Sequence, residues 1–339
     1  MQGTDLQFKA AASPGLNLTL AADMRADAAV RVIMQRLLEM MNANEAGVHA
    51  GEDAEFLHNF RIAVRRYRTL LGQIRGVIPQ RSVLRFSSGF VWLGEITRPA
   101  RDLDVYLPDF EDYRRSLAPA VRQDIEPLHA YLQHQQQLAH QQLVSGLKSN
   151  RYAQLISALT AYLATPLPIH SKLPQAMLPV SVLAEKRIRR ALRRVVSQGG
   201  AIDAGSPPPA LHALRKSCKK LRYLMEFFQS LYPAAAIKKA IKILKSLQDI
   251  LGEYQDLQVQ QGFLAAFRQQ TTAATPAMGR LLAATDVMMR KLEKRQLKVR
   301  KKFKQRFDGF MEAKHQKVYR ELFARGKAIG PRKARKKSN

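Results

Sequence analysis

Two segments of this chain carry the same arrangement of residues at a fixed spacing, and this repeat constrains the fold more than any other feature. Residues 56–71 read FLHNFRIAVRRYRTLL and residues 210–225 read ALHALRKSCKKLRYLM. In each segment a histidine is followed by basic residues at the same intervals. The matched pairs, all 154 positions apart, are His58 and His212, Arg61 and Arg215, Arg65 and Lys219, Arg66 and Lys220, and Arg68 and Arg222.

The same offset continues beyond the basic segments. Residues 94–106 (GEITRPARDLDVY) align with residues 248–260 (QDILGEYQDLQVQ), so that Asp102 matches Asp256. One unbroken offset across about fifty residues indicates an internal duplication of a structural unit. The four prolines of residues 165–179 (TPLPIHSKLPQAMLP) predict a linker at the joint, because proline interrupts regular structure.

The composition of the chain indicates helices nearly throughout. Ala, Leu, Gln, Lys, Arg and Met dominate, apolar residues recur three and four positions apart, and no alternating β pattern stands out. We therefore predict an all-α fold. Its expected parts are a disordered leader at 1–21, a first repeat at 22–164, the linker at 165–179, a second repeat at 180–322 and a disordered basic tail at 323–339. The predicted helices are 22–43, 53–76, 81–97, 100–116, 119–147, 149–164, 180–198, 207–231, 234–251, 253–270 and 276–324.

Helical geometry places the basic residues of each segment on one face. At about 100° per residue, the first basic face consists of His58, Arg61, Arg65 and Arg68. This face spans about 15 Å, which suits a chain of phosphates better than one phosphate. In the second segment the same face consists of His212, Arg215, Lys219 and Arg222. Neither face contains an acidic residue, so we expect no ion pair one turn away to relieve the repulsion. The alternative is an ordinary solvated helix face. The neighbouring apolar faces are Leu57, Phe60, Val64, Tyr67 and Leu71 in the first segment and Leu211, Leu214, Cys218, Leu221 and Met225 in the second.

The charge of the chain indicates a polyanionic partner. There are 56 Lys and Arg against 27 Asp and Glu, a formal net charge of +29. Nucleic acid, an anionic membrane surface and an inorganic polyanion are all compatible with this excess.

The single cysteine, Cys218, excludes an intrachain disulfide, and its match with Val64 predicts a small buried apolar residue. No apolar run is long enough to span a membrane and no secretory signal is evident, so we expect a cytoplasmic location.

Other motifs give weak indications of catalysis or metal binding. Asp102 and Asp104 are spaced like metal ligands, but the second repeat has Gln258 in place of Asp104. We therefore expect no metal, no cofactor and no catalytic residue. Asp102 and Asp256 are expected near helix starts, where each caps backbone N–H groups or orients a neighbouring arginine. Nearby Arg and Lys disfavour the charged form of His58 and His212, so we expect neutral imidazoles that hydrogen-bond phosphate or fix an arginine; a purely structural role is the alternative.

The last predicted helix carries a further basic face. Lys291, Lys294, Lys298 and Lys302 recur at spacings of three and four. They either complete a cationic lining or cover an exposed charged helix. The tail adds unspecific affinity for anions, because it contains Lys and Arg but no Asp or Glu.

The segments LHNFRIAVRRYRTLL, ITRPARDLDVYL and LHALRKSCKKLRYLMEFFQSLY…LKSLQDILGEYQDL resemble the conserved histidine α-helical domain, CHAD, over about residues 22–322. The resemblance implies two pseudo-symmetric helical bundles around a basic central cavity, inorganic polyphosphate as ligand, and a location on polyphosphate granules. A catalytic CYTH domain often precedes CHAD, and we expect none here because about twenty residues precede the match. By motif, the implied polyphosphate-binding residues are His58, Arg61, Arg65, Arg66, Arg68, His212, Arg215, Lys219, Lys220 and Arg222. Supporting roles are expected for Arg101, Asp102, Asp256, Lys298 and Lys302.

Three functions follow for testing. The first is a non-enzymatic polyphosphate-binding protein. The second is a nucleic-acid-binding protein, which the charge allows equally, although an aromatic content of 7% and a basic face without aromatic residues do not favour single-strand stacking. The third is a metal-dependent phosphohydrolase that uses His58 and Asp102.

Overall fold

The computed structural model describes residues 15–115, 117–272 and 274–323, and within these ranges it contains helices and no β-strand. The predicted all-α class is confirmed. Residues 1–14 of the predicted leader and 324–339 of the predicted tail lie outside the described residues. The first half contains α1 (Ala26–Ala50), α2 (Ala54–Leu71), α3 (Gln80–Ile96), α4 (Arg98–Arg115), α5 (Pro119–Asp124), α6 (Glu126–Leu147) and α7 (Asn150–Ala164). The second half contains α8 (Val180–Gly200), α9 (Pro208–Phe227), a 3₁₀ turn (Gln229–Leu231), α10 (Ala234–Gln270), α11 (Pro276–Met311) and α12 (Ala313–Leu322).

The segment that precedes α1 packs against the second half of the chain. Leu16 and Leu20 are buried, and the backbone N–H of Leu20 donates to Oγ of Ser230 at 3.0 Å. The N–H groups of Ala26 and Asp27 donate to linker carbonyls at 2.8 and 3.1 Å. A helix leaves its first N–H groups without internal partners, so the linker caps α1.

The predicted helix 119–147 is wrong in one respect, because it breaks at Ile125. Pro127 is the second residue of α6. Inside a continuous helix the ring of this proline would clash with the carbonyl of residue 123. At the start of a new helix the missing N–H costs little.

The predicted break near residue 252 is also wrong, because α10 runs unbroken through Gly252. Glycine lowers helix stability by about 1 kcal/mol relative to alanine, which packing against α11 offsets. Asp256 therefore lies inside a helix, so its expected position near a helix start is wrong.

The predicted helix 276–324 breaks at Glu312, whose backbone (φ −49°, ψ 140°) is not helical. Two side chains of α12 cap the end of α11. Nδ1 of His315 lies 2.6 Å from the carbonyl of Gly309, and Nε2 of Gln316 donates to the carbonyl of Phe310 at 2.8 Å. These contacts satisfy carbonyl groups that lack helical partners.

The helices of the two halves start and pack at matching positions. The first residues of α1 and α8, of α2 and α9, and of α3 and α10 are each 154 apart. In both halves the first helix packs on the second. The predicted apolar faces of α2 and α9 are confirmed, since all ten of their residues are buried. Each such burial contributes about 1.5–3 kcal/mol. The rings of Tyr67 and Phe90 stack at 4.1 Å between α2 and α3.

Cys218 is fully buried among these apolar residues, as its match with Val64 predicts. Burial raises the pKa of its thiol to about 12, so the thiol stays protonated at neutral pH. Within residues 15–115, 117–272 and 274–323, no helix has the length and apolar character needed to cross a membrane.

Candidate functional site

The basic segments of α2 and α9 meet at a cavity of about 640 Å³. α10 forms another wall, α4 contributes Asp109 and α11 contributes Arg295. The apolar faces of α2 and α9 fix this arrangement, because burying them turns adjacent polar residues toward the space between the helices. Of the residues predicted from the sequence, the cavity is lined by His58, Arg65, Arg66, Arg215, Lys219, Arg222 and Asp256.

Lys219 has the most perturbed ammonium group at this site. Burial and, after it, the nearby charges of Arg65, Arg215 and Arg222 together lower the pKa of Lys219 to about 6, against the opposing effect of Asp256. Cations from both repeats therefore act on one lysine. A negative charge placed in the cavity would favour the protonated form and raise this pKa.

Several donors in the cavity lack partners. Nε of Arg65 and Nε of Arg215 are buried and donate to no acceptor in the part of the chain that the structure describes. Nδ1 of His58 is in the same state. Buried donors are normally satisfied, and leaving one unpaired costs about 1–3 kcal/mol. The arrangement therefore favours a ligand rich in acceptor oxygens.

His58 has the electrostatic character expected of it. Burial and the charge of Arg101 lower the pKa of His58. A lowered pKa means that the imidazole is neutral at pH 7, so it has one donor and one acceptor nitrogen. This agrees with the neutral imidazole predicted from the sequence and gives Arg101 an electrostatic role beside it.

The cavity also contains carboxylates, of which the sequence predicted only Asp256. Six basic side chains are accompanied by five acidic ones, namely Asp109, Glu226, Asp249, Glu253 and Asp256. Oδ1 of Asp256 lies 4.0 Å from Nη2 of Arg215. Oε1 of Glu253 lies 2.9 Å from Nη2 of Arg295. An incoming anion would therefore compete with carboxylates of the protein.

Glu226 makes the closest of these ion pairs. Its Oε2 lies 2.7 Å from Nη2 of Arg66 and its Oε1 lies 3.3 Å from Nε of Arg222. The ring of Tyr223 lies beneath both guanidinium groups, with its centroid 5.7 Å and 5.2 Å from their central carbons. Glu226 follows Arg222 by four residues on a helix, and this spacing was the available signal. The expectation that no ion pair relieves the basic face is thus wrong for α9.

Two arginines of the predicted basic face of α2 contact α3 and its end instead of the cavity. Nη1 of Arg61 donates to Oγ1 of Thr97 at 2.8 Å, and burial lowers the pKa of Arg61 to about 10. Nη1 of Arg68 lies against Gly94, where a Cβ atom would approach it to 2.5 Å. Gly94 thus leaves room for the guanidinium of Arg68.

The matching residues of α9 also differ in their surroundings. His212 is exposed, with Nδ1 2.5 Å from Oε1 of Gln255. Lys220 lies toward α8, where burial and the charges of Arg194 and Arg190 lower its pKa.

The remaining supporting residues lie around the site. Burial raises the pKa of Asp102, against the opposing charges of Arg61 and Arg98. Asp102 thus lies near enough to Arg61 for their charges to interact, as an orienting role for its carboxylate requires. Lys298 and Lys302 are exposed on α11, and the residue of α11 that lines the cavity is Arg295. No sequence signal distinguished Arg295 from its neighbours.

Among the residues that the structure describes, no group of three or more His, Cys, Asp or Glu side chains is arranged to hold a metal ion.

The chain is similar to a known protein family and to curated proteins. A family model described as the CHAD domain matches residues 32–265. The uncharacterized protein Rv2226 of Mycobacterium tuberculosis is 26% identical over 270 residues, which cover 79% of this chain and 50% of that protein. The chain spans about half the length of the curated relatives it matches.

Two solved structures have a similar fold. The CHAD domain from the plant Ricinus communis is 25% identical with a TM-score of 0.66, and the match covers 81% of this chain and 90% of that one. PptA from Streptomyces chartreusis is 15% identical with a TM-score of 0.66, covering 84% of this chain and 100% of that one. At that identity PptA shows likeness of fold alone.

Proposed function

The chain belongs to the CHAD domain family, and on that premise we propose that it binds inorganic polyphosphate in the cavity between α2 and α9. The observation that carries this proposal is the convergence of Arg65, Arg215 and Lys219 at one cavity. The Nε donors of both arginines are buried without a hydrogen-bond partner in the described part of the chain, and burial together with the arginine charges lowers the pKa of Lys219 to about 6.

We also infer that the two halves arose by internal duplication and enclose a basic central cavity as pseudo-symmetric bundles. The equal offset of three pairs of helix starts supports the duplication. The cavity lies where the matched helices α2 and α9 face each other, and both contribute arginines to it. The basic character belongs mainly to these two helices, while α10 supplies most of the carboxylates.

Each basic residue has a distinct task in the proposed complex. The planar guanidinium groups of Arg65 and Arg215 donate to non-bridging phosphate oxygens with fixed geometry. Lys219 regains its proton beside the phosphate and adds a point charge. Several phosphates of one chain would bind at once, so the ligand class is an extended polyanion.

We propose binding rather than hydrolysis. Of the two residues that a phosphohydrolase was expected to use, the cavity is lined by His58, while Asp102 accompanies Arg61. Cytoplasmic location and association with polyphosphate granules belong to the same proposal, because a granule presents the polyanion that the cavity would bind.

A competition titration tests the proposed function. Labelled long-chain polyphosphate is titrated with the protein at low salt, and duplex DNA or single-stranded RNA is then added as competitor. We expect binding of polyphosphate that equal charge concentrations of nucleic acid do not displace. Preferential binding of nucleic acid would favour the alternative. Release of inorganic phosphate in the presence of Mg²⁺ or Mn²⁺ would show hydrolysis instead.

A further inference from the structure

The carboxylate of Glu226 occupies a position between α2 and α9 where an anion would be expected. It accepts from Nη2 of Arg66 at 2.7 Å and lies 3.3 Å from Nε of Arg222. Both arginines belong to the matched basic segments and both line the cavity, as does Glu226 itself. A carboxylate and a phosphate use the same acceptor geometry toward guanidinium groups.

Burial makes this pair consequential. The side chain of Arg66 is 6% exposed and that of Glu226 is 18% exposed. Removing one partner of a buried ion pair leaves an uncompensated charge and destabilises the protein. The pair is therefore exchanged readily only when another anion takes the place of the carboxylate.

The repeat shows that this carboxylate is specific to one side of the cavity. The position that matches Glu226 in the first repeat is Gly72, which has no side chain. The residue that matches Arg66 is Lys220, and the neighbouring charges that lower its pKa, after burial, are those of Arg194 and Arg190. The common framework thus accommodates a basic residue at this position without the carboxylate.

We propose that Glu226 is an internal counter-ion that phosphate displaces. The inference rests on the proposed function and adds a residue that tunes affinity at the same site. In the unliganded protein Glu226 neutralises Arg66 and Arg222. When a phosphate chain binds, its non-bridging oxygens replace the carboxylate oxygens at these two guanidinium groups. Glu226 therefore weakens binding and keeps the cavity stable without ligand.

The test uses full-length protein with the substitution Glu226→Gln, which preserves side-chain shape and removes the charge. Tripolyphosphate and long-chain polyphosphate are titrated at fixed ionic strength. We expect about tenfold tighter binding, as for the release of one competing charged contact. Without ligand the variant should melt at a lower temperature than the wild type, and polyphosphate should raise its melting temperature by more than it raises that of the wild type.

Two further variants separate competition from overall charge. Asp249→Asn removes one negative charge from the same cavity at a residue that forms no ion pair within the described part of the chain. We expect its affinity to stay within about threefold of the wild type. Glu226→Asp keeps the charge but shortens the side chain, so it should also bind more tightly, and it tests the idea if Glu226→Gln fails to fold.

Each outcome decides between explanations. Equal gains in Glu226→Gln and Asp249→Asn would show that net charge alone matters and would overturn the counter-ion. Unchanged or weaker polyphosphate binding in both variants of Glu226 would show that Glu226 has a structural role only. That result would also contradict the proposal. Absence of polyphosphate binding by the wild type would remove the proposed function itself, and the inference with it.

Discussion

Arg65 of α2 and Lys219 of α9 occupy the same position in the two repeats and face one cavity, where Arg65 is, after burial, the largest cause of the lowered pKa of Lys219. The charge of Arg65 disfavours the protonated form of Lys219 unless an anion lies beside both. The polyanion hypothesis can therefore be tested by varying the pH, by varying the salt concentration and by reversing charges in the cavity.

The affinity for polyphosphate should depend on pH through Lys219. Its pKa is about 6 in the unliganded protein against an ordinary value of 10.5, and bound phosphate should raise it. Binding then takes up a proton at pH 7–9, so affinity should rise as pH falls toward 6, by up to about tenfold per pH unit. Isothermal titration calorimetry at several pH values measures this dependence. Lys219→Arg should flatten it, and an equally steep dependence in that variant would assign the proton to another group.

The same lowered pKa affects the unliganded fold. Between pH 10.5 and about 6 the unfolded chain binds more protons at Lys219 than the folded one does. This group therefore contributes stability above pH 10.5 that is lost as pH falls through the window. Urea unfolding measures the free energy of unfolding of the wild type and of Lys219→Met across this pH range. As pH falls, this free energy should decrease less in the variant than in the wild type. Parallel stability curves would contradict the assignment.

Binding should weaken steeply as salt rises, because cations condensed on the polyanion are released when the protein binds. By analogy with nucleic acids, the logarithm of affinity should fall linearly with the logarithm of salt concentration, with a slope near the number of phosphates contacted. Arg215→Gln should reduce the slope by about one. A slope close to zero would argue against phosphate contacts.

Two arginines of the predicted basic face of α2, Arg65 and Arg68, should differ in importance. Arg65 lines the cavity, whereas Arg68 is exposed beside Gly94. Arg65→Gln should weaken polyphosphate binding by about tenfold or more, and Arg68→Gln by less than about threefold. Fluorescence titration of both variants compares them directly. The reverse order would mean that the ligand binds on the exposed side of α2 near Arg68 instead of in the cavity.

The apolar face that orients α2 should be essential for stability. Phe60 is fully buried, and Phe60→Ala should lower the free energy of unfolding by about 3–5 kcal/mol. Val91→Ala, at a partly exposed position of α3, is the control and should change it by less than about 1 kcal/mol. Chemical denaturation followed by circular dichroism measures both. Similar losses in the two variants would mean that Phe60 is less tightly packed than the structure shows.

The sequence predicted the features that periodicity controls. The apolar faces of α2 and α9 follow from spacings of three and four, and the match of Cys218 with Val64 correctly placed a small buried residue. The helix ends were harder to predict. Gly252 continues a helix where a break was expected, because tertiary packing overrides the weak local preference of glycine.

The site was only partly predictable for a similar reason. Helical angles alone group Arg61 and Arg68 with Arg65. In the structure, however, Arg61 donates a hydrogen bond to Thr97 and Arg68 lies against Gly94, so both contact the neighbouring helix or its end. Arg295 and the carboxylates of α10 reach the cavity through packing between distant helices, which single-helix geometry does not reveal. Glu226 was the exception, since its spacing from Arg222 was visible in the sequence.

Charge reversal inside the cavity tests the central claim most directly. Calorimetric titration of long-chain polyphosphate is compared for the wild type, for Arg65→Glu with Lys219→Glu, and for Lys298→Glu with Lys302→Glu, which changes the same charge on exposed positions of α11. We predict a loss of at least about a hundredfold in the cavity variant with its helix content retained, and less than about tenfold in the α11 variant. Wild-type affinity in a folded cavity variant would place the ligand elsewhere and contradict the account.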